Sequence, residues 1–179
     1  DIINSEVEWP FTVVSGTITT VAGQAEYTKP TDTKTIDFDS FTVQESASTA
    51  EKTLKYLSFE EYIERYNEID TNPTGDSRGL PEYVYLTPDD KIGFSPVPDL
   101  STYTIRYYYY ATHTDMSAAT DTPTIPERFH DVIVNRARYY THMLRSDTQF
   151  SQLALRDYDQ GLNRMRVELI NRKDYMRAV

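Results

Sequence analysis

The groups in this chain that could do chemistry are three histidines, an excess of carboxylates and fifteen tyrosines. The histidines are His113, His130 and His142. His130 and His142 lie twelve residues apart, about 120° off a common helix face, so they are not a metal pair of the i, i+4 kind. There is no cysteine, hence no thiolate nucleophile, no thiolate metal site and no disulfide framework. No serine sits in a nucleophile-elbow sequence. Gly75 and Gly79 have neither P-loop nor dinucleotide spacing. Asp37 and Asp39 share one face of a strand, but two carboxylates supply too few oxygens for a cation, and a solvated face is the reading adopted. Glu60, Glu61, Glu64 and Glu68 share the outer face of a short helix. The tyrosines could stack sugars or bases. At strand spacing they instead suit core and inter-subunit packing. No catalytic residue, cofactor or metal follows from these patterns.

Length and charge narrow the class. A chain of 179 residues can bury a substantial core. No apolar run approaches the ~20 residues of a bilayer-spanning helix, and no signal-peptide pattern is present. The formal charge of -10 argues against a protein that coats DNA. That charge is uneven: residues 1–123 carry 8 Lys/Arg against 21 Asp/Glu, a balance of -13, and residues 124–179 carry 10 against 7, a balance of +3. A chain polarised in this way suits stacking against something of opposite sign.

The elements that must hold these groups are organised around Leu80–Tyr110. This stretch reads as a three-stranded meander, with turns at Thr87–Asp90 and Pro96–Asp99 where proline fixes φ and cannot donate to a ladder. The last strand alternates Tyr103, Ile105, Tyr107 and Tyr109 with Thr104, Arg106, Tyr108 and Tyr110, which predicts cover on both faces. Residues 1–10 read as the end of a helix closed by Trp9-Pro10, either the remnant of a longer helix or a mature terminus at Asp1. Residues 11–110 read as a β-rich module. Its strand runs are Thr12–Val14, Thr17–Val21, Ala25–Thr28 and Thr35–Val43, punctuated by Gly16 and Gly23, with Ile36 and Phe38 on one face of the last. A helix over residues 58–68 interrupts the module. It opens on a Ser58–Glu61 capping box and turns Phe59, Tyr62, Ile63 and Tyr66 inward. Residues 111–123 form a linker.

Residues 124–179 read as a helical hairpin with a basic C-terminal tail. The first helix opens on a second capping box, Thr124 to Glu127, with Pro126 in its first turn, and shows Phe129, Ile133, Arg136/Ala137, Tyr140 and Leu144 on one face. The second packs through Phe150, Ala154, Tyr158, Leu162, Met165, Leu169 and Met176. Gly161 suits a bend or a close helix contact. The fold class is thus α+β: an antiparallel β-module of sandwich or meander form with an inserted helix, plus a helical hairpin that bundles with an N-terminal helix.

The order of short signatures resembles the head-to-tail adaptor proteins of tailed bacteriophages, of the tail-tubular-protein-A or gatekeeper-adaptor type. The residues that carry it are Glu8-Trp9-Pro10-Phe11, Gly23 to Asp32 (GQAEYTKPTD), Gly79 to Tyr85 (GLPEYVY), Ile92 to Asp99 (IGFSPVPD), the tyrosine-rich strand and Ile125-Pro126-Glu127. The resemblance spans nearly the whole chain and departs at the front, where most of the expected first helix is missing. It implies a structural virion protein rather than an enzyme, made in the bacterial host cytoplasm and placed at the head–tail junction. It implies a homo-oligomeric ring, usually of twelve copies, between the portal protein and a tail or nozzle protein, with DNA passing through without specific binding and no membrane partner. On that reading Arg172, Lys173, Tyr175, Met176 and Arg177 would dock on the portal, and Glu60, Glu61, Glu64 and Glu68 would face the DNA channel. The competing reading is a β-sandwich module of a phage tail or bacterial surface protein that contacts a receptor or glycan.

Overall fold

The structure is a computed structural model that describes residues 7–71, 77–113, 116–118 and 120–170. The chain divides into two compact units, one of residues 13–112 and one of residues 1–12 with 113–179.

The first unit is a sandwich of two four-stranded sheets. The strands are β1 (Val13–Thr19), β2 (Glu26–Thr28), β3 (Thr33–Gln44), β4 (Lys52–Thr53), β5 (Lys55–Tyr56), β6 (Tyr83–Leu86), β7 (Lys91–Ser95) and β8 (Thr104–Ala111). One sheet has the order β1-β8-β3-β4 and the other β2-β7-β6-β5. The expected three-stranded meander is therefore only the β6–β7 hairpin. The chain then crosses to the other sheet, where β8 lies between β1 and β3. All pairings are antiparallel except β5 with β6, which is parallel, so the second sheet is mixed. The Thr87–Asp90 turn forms as read, with Asp90 in the left-handed region at φ 63°, a conformation Asp tolerates better than most residues.

The sandwich interior is aromatic. Phe41 stacks on Tyr107 at 4.6 Å within one sheet and meets Phe94 of the other at 6.2 Å. Tyr27, Val43, Val84, Ile92, Ile105 and Tyr109 complete this core. Cover on both faces belongs to β6 and β7, not to the tyrosine-rich β8. Val84 faces the interior, while Tyr85 lies on the opposite face under a short helix, and both are fully buried. On β8 the outward set is open, and Tyr108 is 52% exposed.

Two short helices follow β5, α1 (Phe59–Arg65) and α2 (Asn67–Thr71), where one helix to residue 68 was expected. The capping box is present: Glu61 N–H donates to Ser58 Oγ at 3.2 Å, and Ser58 N–H donates to Glu61 Oε2 at 3.3 Å. Tyr62 is buried as read, but Ile63 points outward, 48% exposed. Seven residues give only two turns, and the apolar arc over the sheet holds Phe59, Tyr62 and Tyr66 without it.

The second unit is built on α3 (His130–Leu144) and α4 (Thr148–Leu169), joined by a tight turn. Ser146 takes φ 56°, and the Asp147 carboxylate accepts from Phe150 N–H to cap α4. The capping box expected at Thr124 does not form. Pro126 occupies the cap position of a 3-10 turn, Glu127–Phe129, with no side-chain bond, and α3 begins after it. Trp9, Ile125, Phe129, Val132, Tyr158, Leu162 and Met165 make the core. A Cβ on Gly161 would stand 2.9 Å from Val132 Cγ2, so this glycine marks a close helix contact. Asp1–Glu6, which would carry the N-terminal helix of the bundle, lie outside the described residues.

Candidate functional site

The acidic residues singled out from the sequence are brought together only in part. Glu60, Glu61 and Glu64 are exposed on α1, and Glu68 is exposed on α2 beyond the break at Tyr66. Glu61 is committed to the capping box, so its carboxylate is held at the helix N-terminus, where the helix dipole favours it. Arg65 ends the same helix, which dilutes the negative face.

Beneath that face lies a polar-aromatic cluster the sequence did not suggest. Tyr62 stacks on Tyr85 with centroids 3.8 Å apart and planes 14° apart, and Tyr66 lies on Tyr83 at 5.0 Å. The Asp70 carboxyl is turned toward Tyr62, Ser95 and the Val97 N–H. Burial raises its pKa above the ordinary carboxylate value, against the opposing pull of Ser95 and Val97. Asp70 Oδ2 and Ser95 Oγ are buried without a well-formed hydrogen bond. Burial likewise raises the phenols of Tyr62 and Tyr85, so both stay neutral through the physiological range. The cluster is thus one carboxyl beside a serine hydroxyl and neutral phenols, with no second carboxylate or histidine among them. Elsewhere in the sandwich Tyr103 donates to Asp99 Oδ1 at 2.6 Å, and its hydroxyl is pushed up to about 12, by burial first.

Two of the histidines, His130 and His142, make local contacts. His130 Nε2 sits 2.9 Å from the Ile125 carbonyl, and His142 stacks on Phe150 and lies 3.8 Å from the Asp147 carboxylate. Among the described residues no group of three or more His, Cys, Asp or Glu could hold a metal ion. No helix among them is long and apolar enough to cross a membrane.

The helical unit exposes what the sequence placed inside. Tyr140, Leu144 and Phe150 were expected in the interhelix seam. They are 46%, 88% and 53% exposed, and Met143 and Leu153 are exposed beside them in sequence. The correction lies along the helix axis: the core takes Phe129, Val132 and Ile133 at the start of α3 and Ala154 onward in α4, and it ends before the turn, so Tyr140, Leu144 and Phe150 stay exposed. The Arg136 guanidinium lies about 5 Å from the rings of Tyr139, Tyr140 and Tyr158, which ties α3 to α4 by cation–π contact. Large apolar side chains left on both sides of the α3–α4 turn fit an assembly surface better than a free one. The signal available in the sequence was the crowding of Tyr139, Tyr140, Met143, Leu144 and Phe150 around one turn, more apolar side chains than one seam can hold. The basic tail residues Arg172, Lys173, Tyr175, Met176 and Arg177 lie outside the described residues.

No curated protein matches the chain. The family model described as SU10 adaptor protein matches residues 3–179 of the 179. The chain belongs to the SU10 adaptor protein family, and its role is that of a structural phage adaptor, a component of the virion that contacts other head or tail proteins.

Proposed function

We propose that the chain is the subunit of a head-to-tail adaptor ring, usually of twelve copies, that joins the portal to the tail and encloses part of the DNA channel. The observation that carries the reading is the family match over nearly the whole chain, residues 3–179. The exposed apolar side chains around the α3–α4 turn support it, because an isolated subunit gains nothing from leaving them in water. In this reading the helical unit docks on the portal through Arg172, Lys173, Tyr175, Met176 and Arg177, and the sandwich carries the tail or nozzle protein. Mixed with the portal protein of the same phage, the full chain forms rings on portals in negative-stain images. A chain ending at Ile170 keeps the melting temperature within about 2 °C, because residues 171–179 are mostly charged or polar and offer few core-type side chains. It loses portal binding. Binding that survives the truncation would place the dock elsewhere.

DNA passing through a ring must not stick. Every phosphate neutralised by a fixed Lys or Arg adds salt-dependent affinity, repeated in each copy. An acidic lumen avoids this, and Glu60, Glu61, Glu64 and Glu68 are the proposed lumen face. Changing Glu60, Glu61 and Glu64 together to Lys leaves ring assembly intact and slows DNA ejection, with the defect relieved by added salt. Ejection at the normal rate from such particles would put α1 outside the channel.

A further inference from the structure

Every open β-sheet ends in two strands whose outer N–H and C=O groups have no ladder partner, and such edges invite pairing with another chain. The two sheets here have four edges: β1 and β4 in one, β2 and β5 in the other. Three are protected in the usual ways. β4 and β5 are two residues long and begin with Lys52 and Lys55, and Glu51 just before β4 pairs with Arg106. β2 is three residues long and is flanked by the Lys29–Asp90 and Glu26–Lys91 pairs.

The fourth edge is different. β1 runs for seven residues, Val-Val-Ser-Gly-Thr-Ile-Thr, and no charged residue occurs anywhere between Trp9 and Ala25. This happens in a chain of which 26% is charged. It contains no proline and no bulge, since it pairs with β8 one-to-one from Val13↔Tyr110 to Thr19↔Thr104. The direction of its free groups follows from one bond: Thr20 N–H donates to the Tyr103 carbonyl at 2.9 Å, which continues the same register. Even-numbered residues therefore bond to β8, and Val13, Ser15, Thr17 and Thr19 turn N–H and C=O to the open edge. Val13 and Val14 are 38% and 40% exposed. Among the described residues no strand lies along this edge.

We infer that β1 is the seat of an added strand, and that the occupant is an extended, uncharged segment of the tail component carried by the sandwich. Three observations select that occupant. Residues 13–112 carry 8 Lys/Arg against 16 Asp/Glu, a balance of -8, yet this edge is neutral, so the contact is made by backbone and apolar surface and suits a neutral strand. A second copy's other edges, of two or three residues, are too short to match seven. β1 against β1 would match in length but is a two-fold contact, which cannot propagate round a ring. The proposal rests on the adaptor reading and specifies how the next component is held.

The test uses the whole chain, in the phage that encodes it. In the isolated subunit the amides of Val13, Ser15, Thr17 and Thr19 exchange with solvent deuterium at least about tenfold faster than those of Val14, Gly16 and Ile18. In tailed particles residues 12–20 are protected throughout. Thr17→Pro removes one outward N–H that the subunit does not use, and Thr17→Lys places on this edge the charge the other edges carry. Both should give filled heads bearing the adaptor, with tail attachment reduced at least about tenfold, the loss expected for ~1.4 kcal/mol of contact. Should Thr17→Pro lower the melting temperature, Thr17→Lys carries the test, since it leaves the backbone untouched. Normal tail attachment with adaptor present overturns the inference and leaves the adaptor reading standing. Variant adaptor missing from heads that accept the unmodified protein overturns it too, and assigns β1 to the head side. A subunit dimer that Thr17→Lys dissolves overturns it in favour of a second copy. Unmodified protein absent from the head–tail junction would instead defeat the adaptor reading itself.

Discussion

Trp9→Ala should destabilise the helical unit by about 3–5 kcal/mol, read as a lower denaturant midpoint in far-UV circular dichroism. Trp9 is the only tryptophan in the chain and is fully buried. It stands outside the helices, yet it fills the core made by Ile125, Phe129, Val132, Tyr158, Leu162 and Met165. Its place is fixed by the next residues: Thr12 N–H and Thr12 Oγ donate to the Trp9 carbonyl at 3.0 and 2.8 Å, closing a 3-10 turn. Phe11 stacks on the indole at 5.9 Å. A truncated side chain leaves a cavity walled by two helices that cannot collapse without breaking their own seam. That pushes the cost toward the upper end of the range. A loss under about 1 kcal/mol would mean that the helix pair holds together without its N-terminal plug.

Gly93→Ala should cost about 3 kcal/mol, the upper end of what overpacking usually does. Gly93 lies on β7 directly across from Tyr85 on β6, and a Cβ there would stand 2.3 Å from two ring carbons. The ring cannot swing away, because Tyr62 stacks on it from α1 at 3.8 Å. The penalty therefore belongs to the pair. Tyr85→Leu alone loses the stack, but combined with Gly93→Ala it should lose clearly less than the two single effects added together. Additive losses in that double-mutant cycle would show that the ring is not the obstacle. The sandwich repeats the device in its other sheet, where Gly16 on β1 faces Tyr107 on β8 and a Cβ would meet that ring at 2.4 Å. Both glycines make room for a tyrosine lying flat over the strand opposite.

What the sequence determined on its own is what depends on neighbours along the chain. The Ser58–Glu61 box is legible because both partners lie within one turn. The Asp147 break and recap, the β6–β7 hairpin and the α+β class are legible for the same reason, since turn chemistry and side-chain period are local quantities. The signatures that resemble phage adaptors are also strings of adjacent residues, and the family match extends over the same stretch of chain.

What only the tertiary structure decided involves distant residues. Period two along β3 put Ile36 and Phe38 on the core face. However, the register with β8 slips between Asp37 and Thr42, and after the slip Phe41 and Val43 are the ones fully buried. Ser40 makes this possible by accepting the Tyr108 N–H that a regular strand would have bonded. No local pattern announces that exchange, because the donor lies 68 residues away. Which sheet β8 joins, and so which tyrosines stay in water, is likewise a pairing choice. The phase of α3 is fixed by Val132 meeting Gly161, not by the apolar spacing of α3 alone. The open edge of β1 is the same kind of fact: its lack of charge is written in the sequence, but an unpaired edge exists only once the strand order is set.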